Sequence, residues 1–92
     1  MLIQIVACAP YVVQVAHGKP APDLFLECCK RMGITPSEAL VFEDAVNGVK
    51  AAHSAGCYCV AIPSMPKSIW DSYRSAGAKD ILGSLLYVQP EK

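Results

Sequence analysis

The chain has 92 residues, 53% of them hydrophobic and 17% charged, with eight basic residues against eight acidic ones. This composition belongs to a folded chain, and no stretch concentrates lysine or arginine as a nucleic-acid or anionic-membrane binder requires. One domain of this length buries only about 60 to 65 per cent of its unfolded surface, so the loss of any element weighs heavily on its stability.

In chain order, residues 1–16 are strongly apolar but lack a basic leader. Gln4, Pro10 and Gln14 interrupt the stretch, which is too short for a membrane span. Val12-Val13-Gln14-Val15 reads as a strand leading into the loop Gly18-Lys19-Pro20. A helix is expected over residues 22–32. Pro22 suits its first turn, Asp23 and Glu27 its positive end, Lys30 and Arg31 its negative end, and Gly33 its stop. Leu24, Phe25, Cys28 and Met32 form its expected buried stripe. After the turn Thr35-Pro36-Ser37, residues 39–42 are apolar without alternation, the pattern of a parallel strand covered on both faces.

A second helix is predicted over residues 45–55. It is alanine-rich, so it can lie close on a sheet, with Asp44 placed to cap it, Gly48 easing close packing and Gly56 ending it. Residues 57–62 make the next strand, and a strand, helix and strand of this length predict a right-handed crossover with parallel pairing. A short helix over 68–76 and a short strand over 80–82 complete the expected α/β domain. The five cysteines, Cys8, Cys28, Cys29, Cys57 and Cys59, are odd in number and contain no Cys-x-x-Cys. They read as reduced core thiols in a cytoplasmic protein rather than a disulfide framework or a zinc site.

Two short motifs carry chemistry. Lys19 sits between Gly18 and Pro20 in a loop, and Glu43-Asp44 closes the apolar run Ala39-Leu40-Val41-Phe42. A fixed cation and an acidic pair at loop and strand ends are what a phosphate-plus-magnesium site uses, because Mg²⁺ takes carboxylate oxygens and a lysine acts as a point charge on phosphate. In open α/β sheets such sites lie beyond the carboxyl ends of the strands, where Glu43 and Asp44 fall. The first aspartate is Asp23, and no Asp-x-Asp occurs anywhere in the 92 residues.

The run Gly18-Lys19-Pro20-Ala21-Pro22-Asp23-Leu24-Phe25-Leu26, then Leu40-Val41-Phe42-Glu43-Asp44-Ala45-Val46-Asn47-Gly48-Val49, then Ala55-Gly56 before an apolar strand, resembles the C-terminal half of haloacid dehalogenase-like phosphohydrolases. The match covers residues 17–92, and residues 1–16 match poorly. The loop Ile62-Pro63-Ser64-Met65-Pro66-Lys67 and the tail from Gly83 to Lys92 look most like the FMN hydrolase part of bifunctional riboflavin kinase/FMN hydrolases. Pseudouridine monophosphatases and glycerol-3-phosphatases have similar tails.

The resemblance implies a partial Rossmann-like core with parallel strands, without the N-terminal nucleophile strand and the cap domain. By the same resemblance Asp44 would hold Mg²⁺ directly, Glu43 would support it, and Lys19 would bridge the phosphate and the attacking carboxylate, so that Lys19 and Asp44 face one crevice. The parent reaction would pass through an aspartyl-phosphate on a small phosphomonoester such as FMN. His17 and His53 have no catalytic counterpart. Because the Asp-x-Asp is absent, the expected product is a phosphatase fragment inactive by itself; a non-catalytic binding product of the same family is the alternative. A small phosphorylated substrate is the implied partner, with neither nucleic acid nor membrane.

Overall fold

The computed structural model describes residues 4–6 by their backbone, together with residues 15–63 and 66–83. Four short strands pair in the order β1 (Gln4–Val6), β2 (Ala39–Glu43), β3 (Tyr58–Ala61) and β4 (Asp80–Ile81), every pair parallel. Between them run α1 (Asp23–Met32), α2 (Val46–Ala55) and α3 (Asp71–Ala76). A sheet that advances in one direction through right-handed crossovers delivers successive helices to the same face. The packing agrees, since α2 lies against α1 on one side and α3 on the other.

The expected parallel α/β fold is therefore what forms, with local differences. Residues 12–14 of the predicted strand 12–15 lie outside the described residues, and Val15 belongs to no element. The partner of β2 on that side is Gln4–Val6, with Gln4 opposite Ala39 and Val6 opposite Val41. Both runs are rich in residues that favour strands, so propensity alone does not distinguish them.

Helix α1 starts one residue later than expected, with Pro22 at its N-cap, and ends at Gly33, whose φ of 72° is left-handed. Its buried face is Phe25, Cys28 and Cys29, spaced i, i+3 and i+4, whereas Met32 in the last turn is exposed. Arg31 pairs with Glu27 at 2.8 Å, and the guanidinium hydrogen bond holds the Glu27 carboxyl below its usual range. The turn at Thr35 becomes a 3₁₀ segment, Pro36–Glu38. There the Glu38 carboxylate accepts from the Thr35 N–H and hydroxyl, both at 3.0 Å, and these bonds lower its pKa.

Helix α2 begins at Val46, and its N-cap is Ala45, without a side-chain capping bond. The cap expected of Asp44 does not form, because Asp44 stands one residue too early to reach the first free N–H groups. Gly56 then ends the helix at φ 91°. The Cys57 N–H is used in that termination, bonding to the Ala52 carbonyl, so β3 opens at Tyr58 rather than at Cys57. A 3₁₀ turn, Lys67–Ile69, precedes α3.

The core lies between the sheet and the helix row, where Ala39, Val41, Cys59 and Ala61 of the strands meet Val49, Ala51 and Ala52 of α2. Small residues on α2 allow the helix axis to approach the sheet closely. Cys29, Cys57 and Cys59 are free buried thiols, and burial pushes Cys57 up to about 12 and Cys59 up to about 11. No helix among the described residues is long and apolar enough to cross a membrane.

Candidate functional site

Parallel pairing brings the carboxyl ends of the strands to one edge, and the loops that follow them gather there. Residue Glu43 ends β2 at this edge, and its carbonyl accepts from the Ile62 N–H at 2.8 Å, which ties the exit of β2 to the exit of β3. The loop ahead of α1 turns through a bond from the Ala21 N–H to the Gly18 carbonyl at 3.0 Å, and its Lys19–Pro20 peptide is cis. At the start of the loop, the backbone N–H of His17 donates to Asp23 Oδ2 at 3.2 Å, and the imidazole Nδ1 lies equally near that oxygen. Asp23 thereby anchors the loop to the first turn of α1.

The loop delivers Lys19 to the end of β2. Its Nζ lies 3.0 Å from Glu43 Oε2 and 5.4 Å from the centroid of the Phe25 ring, so one carboxylate and one aromatic face fix the ammonium. The pair is asymmetric in burial: 35% of the Lys19 side chain is exposed but only 11% of the Glu43 side chain. Glu43 is thus the inner member and Lys19 the one facing solvent, an ammonium presented outward on a fixed base. Cys59, buried on the neighbouring strand β3, feels the charges of this pair. Burial and the Glu43 charge raise its pKa, while Lys19 opposes them.

Asp44 is placed differently. It is exposed, and its carboxylate makes neither a hydrogen bond nor an ion pair with any described residue. Its backbone, in contrast, is held: the Tyr73 hydroxyl donates to the Asp44 carbonyl at 3.0 Å from within the core. The loop between β2 and α2 is therefore pinned by α3, and Asp44 presents its carboxylate from a fixed backbone.

All three sequence-predicted residues, Lys19, Glu43 and Asp44, stand at one end of the sheet. Lys19 and Asp44 are expected to face one crevice, near enough for a salt bridge or one intervening ion, and the ion pair that Lys19 forms at this end is with the adjacent residue, Glu43. The reason is strand geometry, since successive side chains leaving a strand point to opposite sides and only one of the two acids can turn inward to the lysine. His53 is exposed on the last turn of α2, and His17 is engaged with Asp23.

Sequence reasoning missed three supports of the site: the Phe25 ring, the Ile62 N–H and the Tyr73 hydroxyl. Tyr73 lies 29 residues beyond Asp44, and no local signal links the two. Among the described residues no group of three or more His, Cys, Asp or Glu side chains is assembled to hold a metal. The chemistry available is an ammonium positioned by the Glu43 carboxylate, with the exposed carboxylate of Asp44 on the next residue.

Residues 3–56 match the family model described as haloacid dehalogenase-like hydrolase. The bifunctional riboflavin kinase/FMN phosphatase of Arabidopsis thaliana is 42% identical over 79 residues, spanning 86% of this chain and 20% of the relative. The mitochondrial (DL)-glycerol-3-phosphatase 1 of the same plant is 40% identical over 82 residues, spanning 86% of this chain and 26% of the relative. Among solved structures, CbbY from Rhodobacter sphaeroides in complex with phosphate superposes with a TM-score of 0.66 at 31% identity, over 80% of this chain and 32% of that one. The chain thus spans about a fifth to a third of the length of these relatives.

Proposed function

The chain belongs to the haloacid dehalogenase-like hydrolases, and on that premise we propose that Lys19, Glu43 and Asp44 are the charge-compensating part of a Mg²⁺-dependent phosphatase site for a small phosphomonoester, FMN being the favoured substrate. The observation that carries this reading is the 3.0 Å approach of Lys19 Nζ to Glu43 Oε2 at the carboxyl end of β2, with Asp44 open beside it. Lys19 supplies a positive charge to a phosphate oxygen without itself giving up a proton. Glu43 holds that ammonium in place from within the fold, and the Phe25 ring supports it from the side.

The donor set suits the metal. Glu43 and Asp44 offer hard oxygens on consecutive residues, and Mg²⁺ is usually held by one or two carboxylates together with waters and substrate phosphate oxygens. When bound, Mg²⁺ would neutralise phosphate charge that otherwise repels an incoming nucleophile. Asp44, with its free carboxylate, is the direct ligand in this reading, and Glu43 the supporting one.

These residues bind and screen charge; none of them is placed to attack phosphorus. The 92 residues contain no Asp-x-Asp, so the chain by itself is proposed to be catalytically silent. Electrostatic stabilisation without a nucleophile does not complete covalent phosphoryl transfer. The test is an assay of the purified chain with Mg²⁺ near neutral pH, on FMN and on an aryl phosphate. Turnover should not exceed that of a Lys19→Ala, Asp44→Asn double variant. Hydrolysis that disappears in the double variant would overturn the silent-fragment reading and point to an unrecognised nucleophile, Asp23 first.

A further inference from the structure

We propose that Gly48 is a positioning residue: its bare Cα is the seat in which the Glu43 side chain lies, and this seat directs the Glu43 carboxylate onto Lys19. Gly48 is buried near the start of α2, where a Cβ would overlap Cγ, Cδ and Oε1 of Glu43. Backbone conformation does not require a glycine at this point, because the left-handed region is confined, among the described glycines, to Gly33, Gly56 and Gly77. Nor does packing on the sheet require it, because Ala51, Ala52 and Ala55 of the same helix carry their methyl groups into the core. A glycine within a helix is disfavoured relative to alanine, so some contact must offset that penalty, and the contact present is Glu43.

The consequence is local. The atoms that a new methyl would meet, Cγ, Cδ and Oε1, all belong to the Glu43 side chain and none to backbone, so alanine at position 48 forces that side chain out of its seat. Glu43, the inner member of the pair, has its carboxylate 3.0 Å from Lys19 only while it occupies that space. Gly48 thus acts on the lysine through the glutamate, and it touches neither substrate nor metal.

The experiment is acylation of Lys19 in the full 92-residue chain, followed by mass spectrometry, in the wild type, Gly48→Ala, Glu43→Gln and the double variant. An amine held in an ion pair acylates more slowly than a free one. Each single variant should raise the Lys19 rate about two- to fivefold, the range that an ion pair of this exposure carries, and the double variant should raise it no further. Gly48→Ala should keep a single cooperative melt, the helix preference of alanine being set against the ion pair lost when Glu43 is displaced. An unchanged Lys19 rate in either single variant overturns the proposal, as does an additive rise in the double variant. Loss of the cooperative melt in Gly48→Ala but not in Glu43→Gln assigns Gly48 to packing and also overturns it. The inference rests on the proposed function only for its metal consequence, read by Mn²⁺ titration under electron paramagnetic resonance. Equal weakening in the two single variants supports the seat. Mn²⁺ binding unaffected by Glu43→Gln, with the acylation results intact, removes the metal role from Glu43 and leaves the seat standing.

Discussion

Replacing Tyr73 separates the fold from the loop that presents Asp44. Tyr73 is 2% exposed, and its hydroxyl donates at 3.0 Å to the Asp44 carbonyl. Tyr73→Phe keeps the ring and removes that bond, for a net loss of about 1 kcal/mol. For a domain of this size that corresponds to a fall of about 4–8 °C in Tm. Tyr73→Ala removes the ring as well, and a large aromatic core residue truncated to alanine costs about 3–5 kcal/mol. Total stability for a chain of this length is about 5–14 kcal/mol, so alanine threatens the fold and phenylalanine does not. The assay is thermal unfolding by circular dichroism, paired with amide hydrogen exchange across residues 44–46. Tyr73→Phe should speed exchange in that loop while leaving α1 protected. A melting point within about 1 °C of wild type, with unchanged loop exchange, would refute the clamp.

Two further outcomes concern titration. Burial raises Cys57 to about 12 and Cys59 to about 11, so their contribution to stability is complete below the unfolded thiol pKa of about 8.5 and is lost as pH rises toward the folded values. Stability measured from pH 7 to 10.5 should fall with pH, and alkylation of both thiols by iodoacetamide at pH 8 should be slow in the folded chain and fast in denaturant; equal rates would place them at the surface. Glu38 has the opposite sign, since bonds from Thr35 depress its pKa, giving stability present above the unfolded carboxyl value of about 4.3 and lost as pH falls through the folded one. Glu38→Gln should therefore flatten the acid limb of the stability profile, and an unchanged limb would argue against the Thr35 bonds.

The elements most legible in the sequence were those with local causes. Gly33 and Gly56 stop α1 and α2 because the chain needs a left-handed residue there, and Ala39 to Phe42 reads as a buried strand because both of its faces are apolar. Lys19, Glu43 and Asp44 were singled out by the motifs around them, because a loop lysine alone ordinarily reads as a surface charge and an acidic pair at a strand end as a helix cap and a solvated acid. Pairing was less legible. The choice of Gln4–Val6 as the neighbour of β2 depends on strand register, which no local pattern near Lys19 encodes. The capping role expected of Asp44 failed by one residue, a difference that decides whether a carboxylate can reach the helix N–H groups. Gly48 read from the sequence as easing close helix packing, and the side chain it accommodates could be named only once Glu43 was seen to turn inward. Tyr73 carried no signal at all, since a tyrosine in a short amphipathic helix ordinarily reads as core alone.

Transplantation tests most directly whether Lys19 and Asp44 are working parts of a phosphatase site. Residues 17–83 of this chain would replace the matching segment of the full-length FMN phosphatase relative, and FMN hydrolysis by the folded chimera would be measured with and without Lys19→Ala and Asp44→Asn. The chimera should hydrolyse FMN and lose about 10²–10³-fold in kcat with either substitution, the usual loss when one group that stabilises transition-state charge is removed. A folded, active chimera whose rate is indifferent to both substitutions would contradict those roles.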